Sequence, residues 1–192
     1  SFSQVQITRT FLALALAGVQ RGPMVAGVET PPFLSGQLLL SMPGIGDDRF
    51  DRTAIAMCLH DEGGALGLVI NRAHPDLRLH ALLAQLDVDP GQLPNGPVLE
   101  GGPVESGHGF VLHEADYAAS GTIRVGNSWA FTSTLDVLRA IARGDGPKRW
   151  HMVLGYAGWG AGQLEDELSR NGWLNVNPPQ AYTAPHDHPG SF

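Results

Sequence analysis

Cysteine is almost missing from this chain: Cys58 stands alone in 192 residues. One thiol excludes an intrachain disulfide and any multi-cysteine zinc cage, and it fits a reducing compartment. Positive charge is also scarce, with 12 lysines and arginines against 19 aspartates and glutamates and a formal charge of −7. The basic residues are scattered, and their densest stretch, Arg139 to Arg149, is broken by Asp145. A nucleic-acid backbone is therefore an unfavourable partner on charge. Long apolar runs are lacking too: "TFLALALAGV" (10–19) falls well short of the ~20 residues that span a bilayer. No membrane partner is expected, and the cytoplasm is the default location. With only Arg9 as a charge ahead of it, that run reads as an extra packed helix or a leader in preference to a secretory signal. No internal repeat is visible.

What is present patterns as one domain. "GQLLLSM" (36–42) stops at "PGIG" and reads as a buried strand. "TAIAMCLH" (53–60) and "ALGLVIN" (65–71), joined by "DEGG", read as an antiparallel hairpin. Leu79, Leu82, Leu83 and Leu86 share one helical face. The segments "VLEGGPV", "HGFVLH", "TIRV" and "WAFT" are short and extended. "STLDVLRAIARG" is the clearest helix, with Ser133 and Asp136 fitting a capping pattern and Gly144 ending it. Strands with irregularly inserted helices predict an α+β domain over 27–174, between an N-terminal extension (1–26) and a proline-rich, disordered tail (175–192).

The stretch "LGYAGWGAGQLEDEL" (154–168) has the order strand, glycines, helix that phosphate sites use. Its spacing matches neither dinucleotide nor P-loop patterns, no lysine follows, and Glu165, Asp166 and Glu167 crowd the start of the helix. A carboxylate about 8 Å from an anion costs roughly 2 kcal/mol at an effective dielectric near 20, against about 0.3–1 kcal/mol offered by the helix terminus. The turn is expected to serve shape, with Tyr156 and Trp159 folded onto the core.

Residues capable of chemistry are present without a catalytic arrangement. There is no nucleophile elbow, and Cys58 in an apolar strand reads as an inert thiol. His60 reads as a hydrogen-bonded structural histidine beside Asp61 and Glu62. His108 and His113, five apart on a strand, point to opposite faces. Glu114 and Asp116 add only a weak ligand set, "HDH" at His186 to His188 reads as solvated, and Asp47, Asp48 and Asp51 read as a turn pairing with Arg49 and Arg52. No metal site, no cofactor and no catalytic residue is expected.

Taken together, "SMPGIGDDRF", "GGALGLVINR", "GGPV", "GFVLH", "TSTLDVLRAIA" and "LGYAGWGAGQLEDEL" resemble the YqgE/AlgH family of small bacterial proteins, in the family's order, over roughly Gly36 to Leu174. The resemblance implies a compact α+β fold whose mostly antiparallel, bifurcated sheet curls into a pseudo-barrel with flanking helices. It also implies a cytosolic bacterial protein with no established enzymatic activity, and a family label of transcriptional regulator that comes through a connection to alginate production. Two departures stand out. Ala73 replaces the usual proline after "NR", and the proline-rich tail stands where the family continues with a further strand and helix.

Motif positions poorly explained by folding alone form the candidate binding surface: Asp47, Arg49, Phe50, Asn71, Arg72, His113, Tyr156, Trp159 and Gln163. The expected function is non-enzymatic binding or regulation through a protein or small-ligand contact there. The alternatives are direct DNA binding as a transcriptional regulator, which the family label favours and the charge does not, and a hydrolase using His60, His113 or Cys58.

Overall fold

The structure, a computed structural model, describes residues 33–44, 46–127 and 129–178. The expectations for the N-terminal extension (1–26), for His186 to His188 and for the tail beyond 178 lie outside those residues.

The hairpin forms as its alternation predicts, with β2 (Ala54–Asp61) paired antiparallel to β3 (Gly64–Val69). Its turn is closed by Asp61, whose Oδ1 accepts the Gly63 N–H at 2.7 Å. β1 (Leu38–Ser41) lies on the other edge of β2. Helix α1 (Leu79–Gln85) buries Leu79, Leu82 and Leu83 on one side. Helix α2 (Leu135–Arg143) buries Val137, Leu138 and Ile141, each worth about 1.5–3 kcal/mol, and ends at Gly144 in the left-handed region. The start of α2 differs from expectation: its N-cap is Thr134, without a side-chain cap hydrogen bond. Ser133 lies one residue too early to reach the free amides.

The strands β5 (Pro97–Glu100), β6 (Val104–Glu114), β7 (Thr122–Val125) and β8 (Trp129–Thr132) follow the extended segments read from the sequence. β4 (Ala73–Arg78) was not foreseen, because "AHPDLR" carries a proline and three charged or titratable residues. Such a sequence suits an edge strand paired on one side, here to β5. β9 (Trp150–Gly160) runs further than expected, so Gly155, Gly158 and Gly160 lie in the strand and the turn to α3 (Gln163–Ser169) shrinks to Ala161 and Gly162. β10 (Trp173–Val176) extends two residues beyond Leu174 and pairs with β1.

The resulting sheet has the order β10-β1-β2-β3-β9-β6-β8-β7, with β4 and β5 off this path. It is antiparallel except where β5 runs parallel to β9. The sheet is bifurcated at β9. On one edge this strand pairs first with β5, at Val153 and Leu154, and then with β3, from Ala157 to Gly160, while β6 occupies the other edge. The fold is α+β, the sheet curled into a half-barrel. Its inner face holds a core made by strands alone, including Leu68, Phe110, Phe131 and Val153. Outside, α1 and α2 cover Val111, Met152 and Leu154, and α3 covers Ile55, Met57 and Trp159.

Candidate functional site

The glycines of the two signature motifs meet. β5 and β6 lie on opposite edges of β9, so the connection through Gly101, Gly102 and Pro103 must pass directly over that strand. A Cβ on Gly101 would strike Gly155 O and Val153 Cγ1, and one on Gly102 would strike the Tyr156 carbonyl and the Ala157 nitrogen. Only glycine permits the crossing. Gly155, at φ +71°, also switches the parity of β9. Met152 and Leu154 face the α1–α2 core, yet Ala157 and Trp159 face the α3 core. An unbroken strand would keep even and odd positions apart. The glycines therefore set where Trp159 points.

Trp159 points into a cleft of about 420 Å³ lined by Asp47, Arg49, Phe50, Trp159 and Gln163, together with Pro103, Val104, Gly158, Glu167, Arg170, Asn171 and Trp173. Five of the sequence-selected residues thus converge from two chain segments. The short 3-10 turn Asp48–Phe50 delivers the first segment, because Asp47 caps it by accepting the Arg49 N–H at 3.0 Å. Asp47 also holds the Arg49 guanidinium through two side-chain nitrogens. That side-chain hydrogen bond draws the Asp47 carboxyl below its usual range, against a smaller upward push from burial. Arg49 in turn sits 5.9 Å above the Phe50 ring. Phe50 stacks on Trp159 at 6.5 Å and meets Trp173 edge-on at 5.7 Å.

Sequence reading missed the residue that orders this aromatic group. Glu167 Oε2 accepts both indole N–H groups, from Trp159 at 2.9 Å and Trp173 at 2.8 Å, and its Oε1 accepts Gln163 Nε2 at 3.1 Å. The only signal in the sequence was chemical: two buried tryptophans require acceptors, and the acid came from a run that looked like dipole compensation. Its two neighbours are engaged as well. Glu165 Oε1 pairs with His60 Nε2 and Asp166 with Arg170, each at 2.7 Å.

A second cavity of about 290 Å³ adjoins the first, sharing Arg49 and Pro103, and is lined also by Arg72, His74, Glu100 and Ser106. Arg72 braces the 3-10 turn, donating to Arg49 O at 2.6 Å and Asp51 O at 3.2 Å. Asn71 is a strut behind it, accepting the Ala54 N–H and donating to Arg52 O, both at 2.9 Å. Tyr156 lies half-buried on the inner side of β9, edge-on to Phe110, and burial, then the Glu105 charge, raises its phenol pKa.

His113 is placed elsewhere, 1% exposed and edge-on to Tyr117. Its Nδ1 can only donate to Glu114 O (2.7 Å), so in the neutral ring Nε2 accepts from Thr132 Oγ1 (2.9 Å). Thr132 then accepts from Thr122, and Thr122 from the Ala119 N–H, so that every group in the chain is satisfied. Burial lowers the His113 pKa, opposed by Glu114 and Asp116.

His60 and Cys58 are likewise apart from the cleft lining. The Leu34 N–H donates to His60 Nδ1 at 3.0 Å, leaving Nε2 to donate to Glu165. The ring ties the incoming chain to α3, and its partner is Glu165 in place of Asp61 or Glu62. Burial pushes the Cys58 thiol pKa up, away from the thiolate that a nucleophile needs. Among the described residues, no cluster of three or more His, Cys, Asp or Glu side chains is placed to hold a metal.

Residues 38–189 match the AlgH-like family. The chain is 54% identical over 162 residues to a UPF0301 protein of Rhizorhabdus wittichii, covering 84% of this chain and 87% of that protein. It is 52% identical over 141 residues to a UPF0301 protein of Novosphingobium aromaticivorans, covering 73% and 76%. In three dimensions it is similar to the solution structure of the AlgH protein from Pseudomonas aeruginosa, with TM-score 0.66, 40% identity and coverage of 83% and 86%. A crystal structure of a protein from Corynebacterium diphtheriae shares the fold at TM-score 0.64 and 19% identity, with 84% of each chain covered.

Proposed function

Because the chain belongs to the AlgH-like family, we propose that it is a non-enzymatic binding or regulatory protein of that type, acting in the bacterial cytoplasm through the cleft between the 3-10 turn and α3. One observation carries this reading: the signature residues Asp47, Arg49, Phe50, Trp159 and Gln163 line one cleft, while His60, His113 and Cys58 are each buried and separate from it. A concave site with an aromatic floor and a few oriented polar groups is suited to holding a ligand. Among the described residues that line it, no nucleophile stands beside a base. The lone buried thiol favours a reducing compartment, and among the described residues no helix is long and apolar enough to cross a membrane.

Trp159 and Trp173 make the cleft its own reporter. Titration with a panel of peptides, nucleotides and metabolites is expected to give a saturable change in tryptophan emission. The change should be lost in Phe50→Ala and weakened in Arg49→Ala, both still unfolding in a single cooperative transition. Ligands that bind both variants as they bind the parent would move the site off this cleft, and substrate turnover abolished by His113→Asn would replace the reading with an enzymatic one.

A further inference from the structure

The cleft exists because a ladder of hydrogen bonds stops. β6 and β9 pair from His113↔Trp150 to Val104↔Tyr156, and no pair follows, because the chain before Val104 turns away to cross over β9. Pro103, next in line, has no N–H to offer. Beyond Tyr156, β9 continues to Gly160 with a partner on one edge only, β3. The Gly160 N–H turns to the other edge, where Gln163 Oε1 accepts it at 3.0 Å. In an antiparallel pair alternate residues direct their N–H and C=O to the same edge, so Gly158 presents both groups there, into the place that β6 vacates. Pro103, Val104, Gly158 and Trp159 line that place. Gly158 brings no side chain, which leaves its backbone open to another backbone.

The charges favour one kind of occupant. Arg49 and Arg170 are each neutralised by a carboxylate, Asp47 and Asp166. Arg72 donates to two carbonyl oxygens and, among the described residues, has no carboxylate in ion-pair contact. It lines the second cavity, which Arg49 and Pro103 join to the first. A ligand lying across both thus meets a free strand edge, an aromatic wall and, in a cavity that Glu100 also lines, a guanidinium with no carboxylate in ion-pair contact among the described residues.

We propose that the occupant is an extended peptide segment of a partner protein, added as a short strand to the free edge of β9 at Gly158, with an apolar side chain against Phe50 and a carboxylate at Arg72. This rests on the binding reading above and names its ligand class. Main-chain bonds at Gly158 supply the register, and the two cavities select the side chains. Gln163 ends the added strand, because its amide already stands where the next carbonyl would accept.

The probe is a phage-displayed library of random peptides of about seven residues, near the length of an ordinary strand. Selected peptides are expected to combine an acidic residue with an aromatic or aliphatic one. In a synthetic representative, N-methylation opposite Gly158 should weaken binding roughly tenfold, the worth of one hydrogen bond, while methylation of the neighbouring residue is tolerated. The Gly158 amide should exchange with solvent about tenfold more slowly in the complex. Peptides that tolerate N-methylation throughout, or leave Gly158 exchange unchanged, would overturn strand addition. A library that selects nothing, while small ligands still give the emission change that Phe50→Ala abolishes, would overturn the peptide and leave the binding reading standing. Silence in both experiments would end both.

Discussion

Glu167 shows how one side chain can order a surface that hydrophobicity alone would leave loose. Two indole N–H groups rely on one of its oxygens, and both rings are buried. Glu167→Ala is expected to cost about 2–3 kcal/mol in urea unfolding, because each stranded buried donor loses its partner. Glu167→Gln, which keeps an acceptor, should cost about half as much.

The histidines give a pH signature whose sign follows from their burial. Burial holds His108 and His113 below the ordinary imidazole value, opposed in part by neighbouring oxygens and acids. The unfolded chain therefore takes up protons first as pH falls through about 6.5. Stability is full above that value and declines below it, down to the folded pKa values. At lower pH come Asp47 and Glu165. For Glu165, burial raises the pKa but its own backbone N–H and then His60 outweigh that, so it ends lowered, as does Asp47. Their contributions are present above the unfolded carboxylate range of about 4 and fade as pH falls through their folded values. Urea midpoints at about pH 7.5 and about pH 5.5 should differ, and the difference should narrow in His113→Asn. An unchanged difference would mean that His113 is not the buried neutral group described.

At the level of elements, what matters is how strands are made to change direction. Helices and the β2–β3 hairpin follow local periodicity and were legible from it. The β9 bulge and the crossing of Gly101 and Gly102 were not, because a glycine-rich string carries no hydrophobic pattern and resembles a turn. Two substitutions separate close approach from left-handed backbone. Gly44 has φ +81° with open space where a Cβ would sit, so Gly44→Ala should cost about 1 kcal/mol. Gly102, at φ +152°, has the Tyr156–Ala157 peptide in that position, so Gly102→Ala should cost about 3 kcal/mol or more. Comparable losses in chemical denaturation would argue against a crossing that requires missing side chains.

For the whole molecule, charge is the property that constrains partners. With a formal charge of −7 and its cleft arginines mostly committed to carboxylates or carbonyls, duplex DNA is expected to show no saturable binding near physiological salt. Affinity that falls steeply with salt, as counterion release requires, would revive direct DNA recognition.

Composition, periodicity and motif order were sufficient for the single cysteine's burial, the acidic balance, an α+β fold and the family to which the chain belongs, because these depend on local pattern and residue chemistry. Five of the nine candidate surface residues belong together, and no spacing could have said which five. Asn71 and Arg72 turned out to brace the turn, Tyr156 to lie on the inner side, and His113 to complete a buried hydrogen-bond chain. Those assignments depend on which way each side chain faces. In this fold Gly155 switches that facing within β9, Gly101 and Gly102 carry the chain across the same strand, and only the packed strands reveal either.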